Sequence, residues 1–238
     1  KNRAKQRLSR AMAVRYSDIL ASVIHDIKNS MSVINNHIGD IMMIEDLSDD
    51  MQQRASVMYQ EMKRANNQLV QLLTLYKLDN QRLTPNIMEY NVYDFLEEIM
   101  IEEAALAEAQ NITIEVDCDE WLSWYFDQDL VRGVISSTIG NAKRYTQSRI
   151  MLSAWEEDNY LVFSVEDDGE GFPEKFIKYH QKQSHTDVGK AFTEGRTQLG
   201  FFFATNIAQV HENKGRAGFM KLKNGESLSG GCFELWLP

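Results

Sequence analysis

The stretch VIHDIKNSMSVINNHI (23–38) crowds His25, Asp26, Lys28 and Asn29 into little more than one turn of an amphipathic helix, with His25 beside the apolar row. A free imidazole has a pKa of about 6.5, so at neutral pH it is mostly an uncharged nucleophile. Spacing alone does not separate a reactive histidine from an ordinary solvated helix face.

Three other stretches have the residue types of a ligand site. EDDGEGFP (166–173) ends a strand and sets Gly169 and Gly171 two apart behind paired aspartates. Glycines let the backbone turn sharply and approach a flat ligand. A buried carboxylate such as that of Asp167 can accept a hydrogen bond from an exocyclic amine like that of adenine. The same letters also make a plain tight turn. IGNAKRYT (139–146) puts Asn141 on a helix with Lys143, Arg144 and Tyr145 behind it. The Asn oxygen is a neutral, hard ligand suited to Mg²⁺, and the cations can meet phosphates or simply favour a helix C-terminus. GRTQLGFFFATNIAQVH (195–211) offers flexible residues leading into a helix whose first N–H groups can hold phosphate. Its phenylalanines are also what a core helix would carry.

The elements that must position these residues follow from periodicity. Leu8, Met12, Tyr16, Ile19, Val23, Ile27, Ile34, Ile38 and Ile41 recur at three- and four-residue steps and predict a helix over 8–44. Ala55, Met58, Met62, Ala65, Leu69, Leu72 and Tyr76 predict a second helix. The short acidic connection EDLSDD (45–50) makes it antiparallel to the first, with Ser48 or Asp49 as its cap. One hairpin cannot bury such a stripe from both sides, so pairing with a second copy into a four-helix bundle is expected. LDNQRLTPN (78–86) reads as a linker. Beyond it the pattern predicts a helix at 92–110, a strand at 111–117, and a helix at 127–146 capped by Asp127. Strands at 149–157 and 160–167 follow as a hairpin across Asp158-Asn159, then an irregular polar stretch at 172–197. A helix at 199–212 and closing strands in AGFMKLK and GCFELWLP complete the chain. Strands, helices and antiparallel hairpins mixed in this way argue an α+β fold with helices layered on one sheet face.

Bulk properties narrow the function classes. The 238 residues suffice for two modest domains, and 43% hydrophobic with 25% charged content suits a globular protein. A net charge of −10 disfavours nucleic acid, whose phosphates demand a basic surface. Cys118 and Cys232 have neither metal-ligand spacing nor a disulfide framework, which fits a reducing compartment. No apolar run approaches a membrane span. The basic start, KNRAKQRLSR without Met, suggests a fragment.

Taken in order, HDIKNS, the Asn141 helix, DDGEG, a Gly-bearing loop into a helix and a final GGCFELWLP strand resemble the sensor histidine kinases of two-component signalling. The likeness covers almost the whole chain. Residues 1–80 resemble the dimerisation and histidine-phosphotransfer hairpin. Residues 86–238 resemble the catalytic ATP-binding domain, the Bergerat sandwich also found in gyrase, heat-shock-90 and MutL ATPases. The resemblance implies that His25 is the phosphoacceptor, that Asp26 orients its ring and takes up its proton, and that Asn29 serves dephosphorylation of the partner regulator. It implies that Asn141 is the Mg²⁺ ligand. It further implies that Lys143, Arg144 and Tyr145, Asp167 as the adenine-reading carboxylate, Gly169, Gly171, Leu199 and Gly200 line the ATP site. Residues 173–198 would be the lid, with Gly189 and Gly195 as hinges and Lys190 or Arg196 as phosphate contacts.

The implied cofactors are ATP and Mg²⁺. The implied partners are a second copy of the chain (a homodimer) and the receiver domain of a response regulator, with no nucleic acid. The location implied is cytoplasmic: this fragment makes no membrane contact, though the full-length protein can carry an upstream sensor or membrane domain. Departures from the family pattern are Ser30 in place of a common Pro, Ser137 in place of an earlier Asn, and Arg196-Thr197-Gln198 in place of Gly-Thr-Gly. The nearest alternative is a degenerate kinase that only dimerises and docks a regulator. A more distant one is an ATPase of the clamp type.

Overall fold

A computed structural model describes residues 23, 26, 27, 29–41, 43, 44, 47–182 and 198–238. The chain divides into two compact units, Lys1–Asn80 and Gln81–Pro238. His25 and Lys28, together with Gly189, Lys190, Gly195 and Arg196, lie outside the described residues.

The described residues of the first unit are mainly helical. Helix α1 is continuous over 29–41, and α2 spans Asp49–Asp79. Ser48 takes the N-cap position with extended backbone, but its side chain makes no capping bond, so the expected hydroxyl cap is absent. The helix also runs through Asp79, two residues into the stretch that reads as linker, and closes with Asn80 N–H on the Tyr76 carbonyl at 3.2 Å. Ser30 does what a proline there could not. Its hydroxyl donates to the Asp26 carbonyl at 3.0 Å, so the turn after the candidate phosphoacceptor keeps an i−4 bond. Ile38, Ala55 and Gln71 are buried, whereas Val33, Ile34, Ile41, Met51, Val57, Met58 and Leu72 are exposed. Among the described residues no helix is long and apolar enough to cross a membrane.

The second unit is α+β. Its elements are β1 (Met88–Asn91), α3 (Val92–Glu108), β2 (Thr113–Cys118), β3 (Ser123–Phe126), α4 (Gln128–Ala142), β4 (Arg149–Glu157) and β5 (Tyr160–Asp167). After these come α5 (Glu174–Lys182), α6 (Gln198–Val210), β6 (Glu212–Asn213), β7 (Arg216–Ala217), β8 (Phe219–Asn224) and β9 (Gly231–Leu237). Five strands form one sheet in the order β2-β4-β5-β9-β8. Only β2 and β4 run parallel; the other neighbours are antiparallel.

The β4–β5 hairpin turns at Asp158 and Asn159, with φ of 52° and 61°. Two left-handed residues give a turn whose twist matches the strands, and Asp and Asn tolerate that conformation. Helices α3, α4 and α6 pack on the sheet. Phe95 of α3, Phe126 of β3 and Phe163 of β5 meet edge to face with ring centroids 5.1–5.6 Å apart, so the core sits between the helices and the β5 side of the sheet. Phe95, Phe126, Phe163, Phe233, Ile135, Ile139 and Leu161 are fully buried there.

Four details differ from the sequence expectation. Helix α4 ends at Ala142, not at Thr146, because the chain turns where Arg144 N–H meets the Asn141 carbonyl and Tyr145 N–H that of Ala142. Strands β1 and β3 pair with each other as a small antiparallel ribbon. The stretch after Pro173 starts with the helix α5, and a two-residue ladder, β6 with β7, follows α6.

Candidate functional site

The last two residues of β5, Glu166 and Asp167, and the Asp168 that follows each hold a different segment. Glu166 is buried and accepts from the backbone N–H of Ser227, at 2.8 Å, and of Leu228, at 3.2 Å, fixing the turn before β9. Asp167 is also buried. Its Oδ1 accepts from Gly169 N–H at 2.8 Å and Gly231 N–H at 3.3 Å, and its carbonyl accepts from Gly230 N–H at 2.9 Å. Asp168 reaches back to the loop after α4. Its Oδ1 accepts from the Thr146 hydroxyl, and from the N–H groups of Gln147 and Ser148 at 2.8 and 3.0 Å; its Oδ2 accepts from the Ser148 hydroxyl at 2.7 Å. EDD is therefore the junction that joins the β8–β9 turn, the glycine loop and the end of α4.

Burial pushes the Asp167 carboxyl above the usual carboxylate range, although bonds from Gly169 and Gly231 pull it back in part. Burial also pushes Asp168 up. The Thr146 and Ser148 hydrogen bonds outweigh it and hold that carboxyl well below the usual range.

Glycines make the loop close. A Cβ at Gly169 would overlap the Tyr145 carbonyl oxygen, so the DDGEG loop can lie against the end of the Asn141 helix only with glycine there. Gly171 has φ +79°, a left-handed conformation. It leads into Phe172, whose N–H and carbonyl pair with the Asn224 carboxamide, both at 2.8 Å. Phe172, Phe176 and Phe201 then cluster at 5.4–6.1 Å, and Phe201 lies 6.1 Å from Phe233. That cluster fastens the loop to α5, α6 and β9.

Asn141 and Ser137 sit one turn apart on α4 and face the first turn of α6. A Cβ at Gly200 would lie 3.6 Å from Asn141 Nδ2 and 3.4 Å from Ser137 Oγ. Leu199 and Gly200 are half-buried there. Arg144 and Tyr145 are exposed, with the guanidinium carbon 5.9 Å from the ring centroid. Lys143 is engaged elsewhere. Its Nζ bonds Glu103 of α3 at 2.8 Å to the carboxylate and 3.0 Å to the carbonyl, with only 10% and 6% of the two side chains exposed. It ties α4 to α3 and is better described as a brace than as a phosphate contact.

The structure thus brings Asn141, Tyr145, Asp167, Gly169, Gly171, Leu199 and Gly200 around one end of the sheet, the end to which β5 and α4 point their C-termini. The residues fit an adenine nucleotide. Among the described residues Asp167 Oδ2 accepts no hydrogen bond, which leaves the acceptor that an exocyclic amine needs. Asn141 is half-buried, with its carboxamide turned toward Gly200. Asp26 and Asn29 are helical and exposed in the first unit. Asp168 and the phenylalanine cluster escape sequence reasoning. The paired aspartates were a signal for the first; only contacts across the fold reveal the second.

Residues 126–238 match the family described as histidine kinase-, DNA gyrase B-, and HSP90-like ATPase. Sensor protein SrrB of Staphylococcus aureus (strain N315) is 23% identical over 198 residues, covering 82% of this chain and 34% of its own length. The chain therefore spans about a third of the length of the curated relatives it matches. Among solved structures, full-length ShkA in complex with AMPPNP superposes with a TM-score of 0.60 at 15% identity, covering 92% of this chain and 44% of that one. The Acinetobacter baumannii histidine kinase AdeS gives 0.55 at 16% identity, with 90% and 96% covered. The nucleotide-free catalytic domain of histidine kinase ThkA gives 0.51 at 19% identity, with 64% and 96% covered. These likenesses establish the Bergerat fold. The matched stretch, residues 126–238, resembles a sensor-histidine-kinase catalytic domain in sequence pattern and in fold.

Proposed function

We propose that this chain is the core of a two-component sensor histidine kinase that phosphorylates His25 from ATP and passes the phosphoryl group to an aspartate on a response regulator. The observation that carries the reading is a buried Asp167, whose Oδ2 accepts no hydrogen bond among the described residues, set with Asn141 at one end of the sheet. Asp167 would hold the adenine amine, and the glycine loop would let the base approach. Among the described residues no cluster of three or more His, Cys, Asp or Glu side chains suits a metal. A Mg²⁺ would therefore be held by Asn141 together with phosphate oxygens and water, the arrangement that ion prefers. It would neutralise charge on the phosphates.

In the transfer, a His25 ring nitrogen forms the new N–P bond, the bond from the γ-phosphorus to the ADP oxygen breaks, and the ring proton passes to Asp26. Such a reaction depends mainly on positioning and charge neutralisation. Asn29, four residues along the same helix face, suits the reverse activity, orienting water against the regulator's phosphoaspartate. Exposed Val33, Ile34, Ile41, Met58 and Leu72 support a homodimer in which a second hairpin covers them.

The test is autophosphorylation with γ-labelled ATP. Wild type is expected to gain acid-labile label and His25→Ala none. Unlabelled wild type would leave the regulator-docking alternative, which the Arg196-Thr197-Gln198 departure favours. Steady ATP turnover without phosphohistidine would instead favour the clamp-type ATPase.

A further inference from the structure

Asn86 lies in the stretch between the end of α2 and the start of β1. Its N–H donates to Asp127 Oδ2 at 2.7 Å. The other oxygen of that carboxylate accepts from Leu130 N–H at 3.0 Å and caps α4. The backbone N–H of Asp127 donates in turn to His211 Nε2, at 3.0 Å, at the end of α6. The opposite ring nitrogen, Nδ1, donates to the Ile207 carbonyl at 2.7 Å. Both side chains are buried. With Nε2 accepting and Nδ1 donating, the ring is neutral, with its proton on Nδ1. The preceding segment, the first turn of α4 and the last turn of α6 therefore meet at one carboxylate and one imidazole. Helices α4 and α6 are in close contact between this node and the candidate nucleotide site, where a Cβ at Gly133 would lie 3.5 Å from the Phe203 ring.

We propose that Asp127 and His211 are positioning residues that anchor the segment 82–87 to the ATPase unit, and that His211 does so only while its ring is neutral. A proton on Nε2 would set two donors against each other, because the Asp127 N–H already points there. The charged groups around the ring are few. Helix α6 contributes none, the N-cap of α4 contributes Asp127, and Glu212, Lys214 and Arg216 on the β6–β7 side are exposed to water. Burial lowers the readiness of His211 to take a proton, against the opposing pull of the Ile207 bond and the Asp127 charge, so release falls on the acid side of the ordinary value of about 6.5.

Hydrogen–deuterium exchange on the full chain tests this without any assumption about phosphorylation. Asp127→Asn keeps one oxygen for Leu130 N–H and puts an amide NH₂ against Asn86 N–H. Protection at Asn86 is expected to fall by about tenfold to a hundredfold, the equivalent of one hydrogen bond to a charged acceptor, while β4 and β5 stay protected. Wild type taken from about pH 7.5 to about pH 5 should show the same local loss after correction for intrinsic exchange. His211→Gln, which keeps an acceptor but cannot take the proton, should not. Unchanged protection at Asn86 in Asp127→Asn would overturn the proposal. So would loss of protection across the whole unit, or an acid response that survives in His211→Gln.

Discussion

Replacing Asp168 tests whether the junction at the end of β5 holds the site together. Its carboxylate takes the Thr146 hydroxyl, the N–H groups of Gln147 and Ser148 and the Ser148 hydroxyl. A hydrogen bond to a charged group contributes about 1.5–3 kcal/mol, and bonds that share one acceptor do not add fully. The group is partly open to water, so Asp168→Ala is expected to cost about 3 kcal/mol, not the full sum. In a unit of this size that lowers Tm by about 6–12 °C.

The pH dependence has a definite sign. The folded carboxyl titrates below the unfolded value of about 3.9, so the native state binds fewer protons than the unfolded one in the acid range. The contribution of Asp168 is fully present above the unfolded pKa and is lost as pH falls through the folded one. Thermal unfolding of wild type and Asp168→Ala, run as a pH series, should show a gap that is constant near neutrality and closes below about pH 4. Binding of a fluorescent ATP analogue should weaken in the variant, because the Tyr145–Gly169 contact lies next to the released loop. A variant within about 0.5 kcal/mol of wild type at neutral pH, or a gap that ignores pH, would refute the reasoning.

Four further substitutions probe the same unit. Gly169→Ala forces a methyl into the Tyr145 carbonyl and should weaken analogue binding by about tenfold or more, equivalent to upwards of about 1.4 kcal/mol, whereas Gly140→Ala, with open space around it, should bind normally and gain about 0.5–1 kcal/mol of stability. Lys143→Met leaves Glu103 buried without its cation and should cost about 3–5 kcal/mol in urea denaturation, while adding Glu103→Leu should recover much of that loss; a strictly additive double variant would show that the brace does not act as a pair.

Much of the second unit was legible because its burial is periodic. Strands β4 and β5 occupy the residues that their alternation and the Asp158-Asn159 turn indicate, and α3, α4 and α6 lie within one to four residues of the expected ends. The errors have local causes. Strand β1, Met88–Asn91, is four residues long, with two exposed residues followed by two half-buried ones, so it has no hydrophobic alternation to detect. Helix α5 carries Phe176 and Ile177 among charged residues, and its order comes from the ring contacts with Phe172 and Phe201, one of them distant in sequence. Helix α4 stops early because Asp168, more than twenty residues on, captures the following turn. In the candidate site, DDGEG and the Asn141 helix could be named from residue types. That Lys143 braces α3 instead depended on Glu103, forty residues away, which no local pattern reveals.

The position of β9 has a consequence for synthesis. It is a central strand, between β5 and β8, and it supplies the Gly231 N–H that Asp167 accepts across 64 residues of sequence. At about 5–20 residues per second, a ribosome takes roughly 3–13 s to lengthen the chain from Asp167 to Gly231. During that interval β5 has its hairpin partner β4 on one side and an open edge on the other. The nascent unit therefore exposes a hydrophobic strand edge of the kind chaperones recognise, and the candidate nucleotide site forms only as that edge closes.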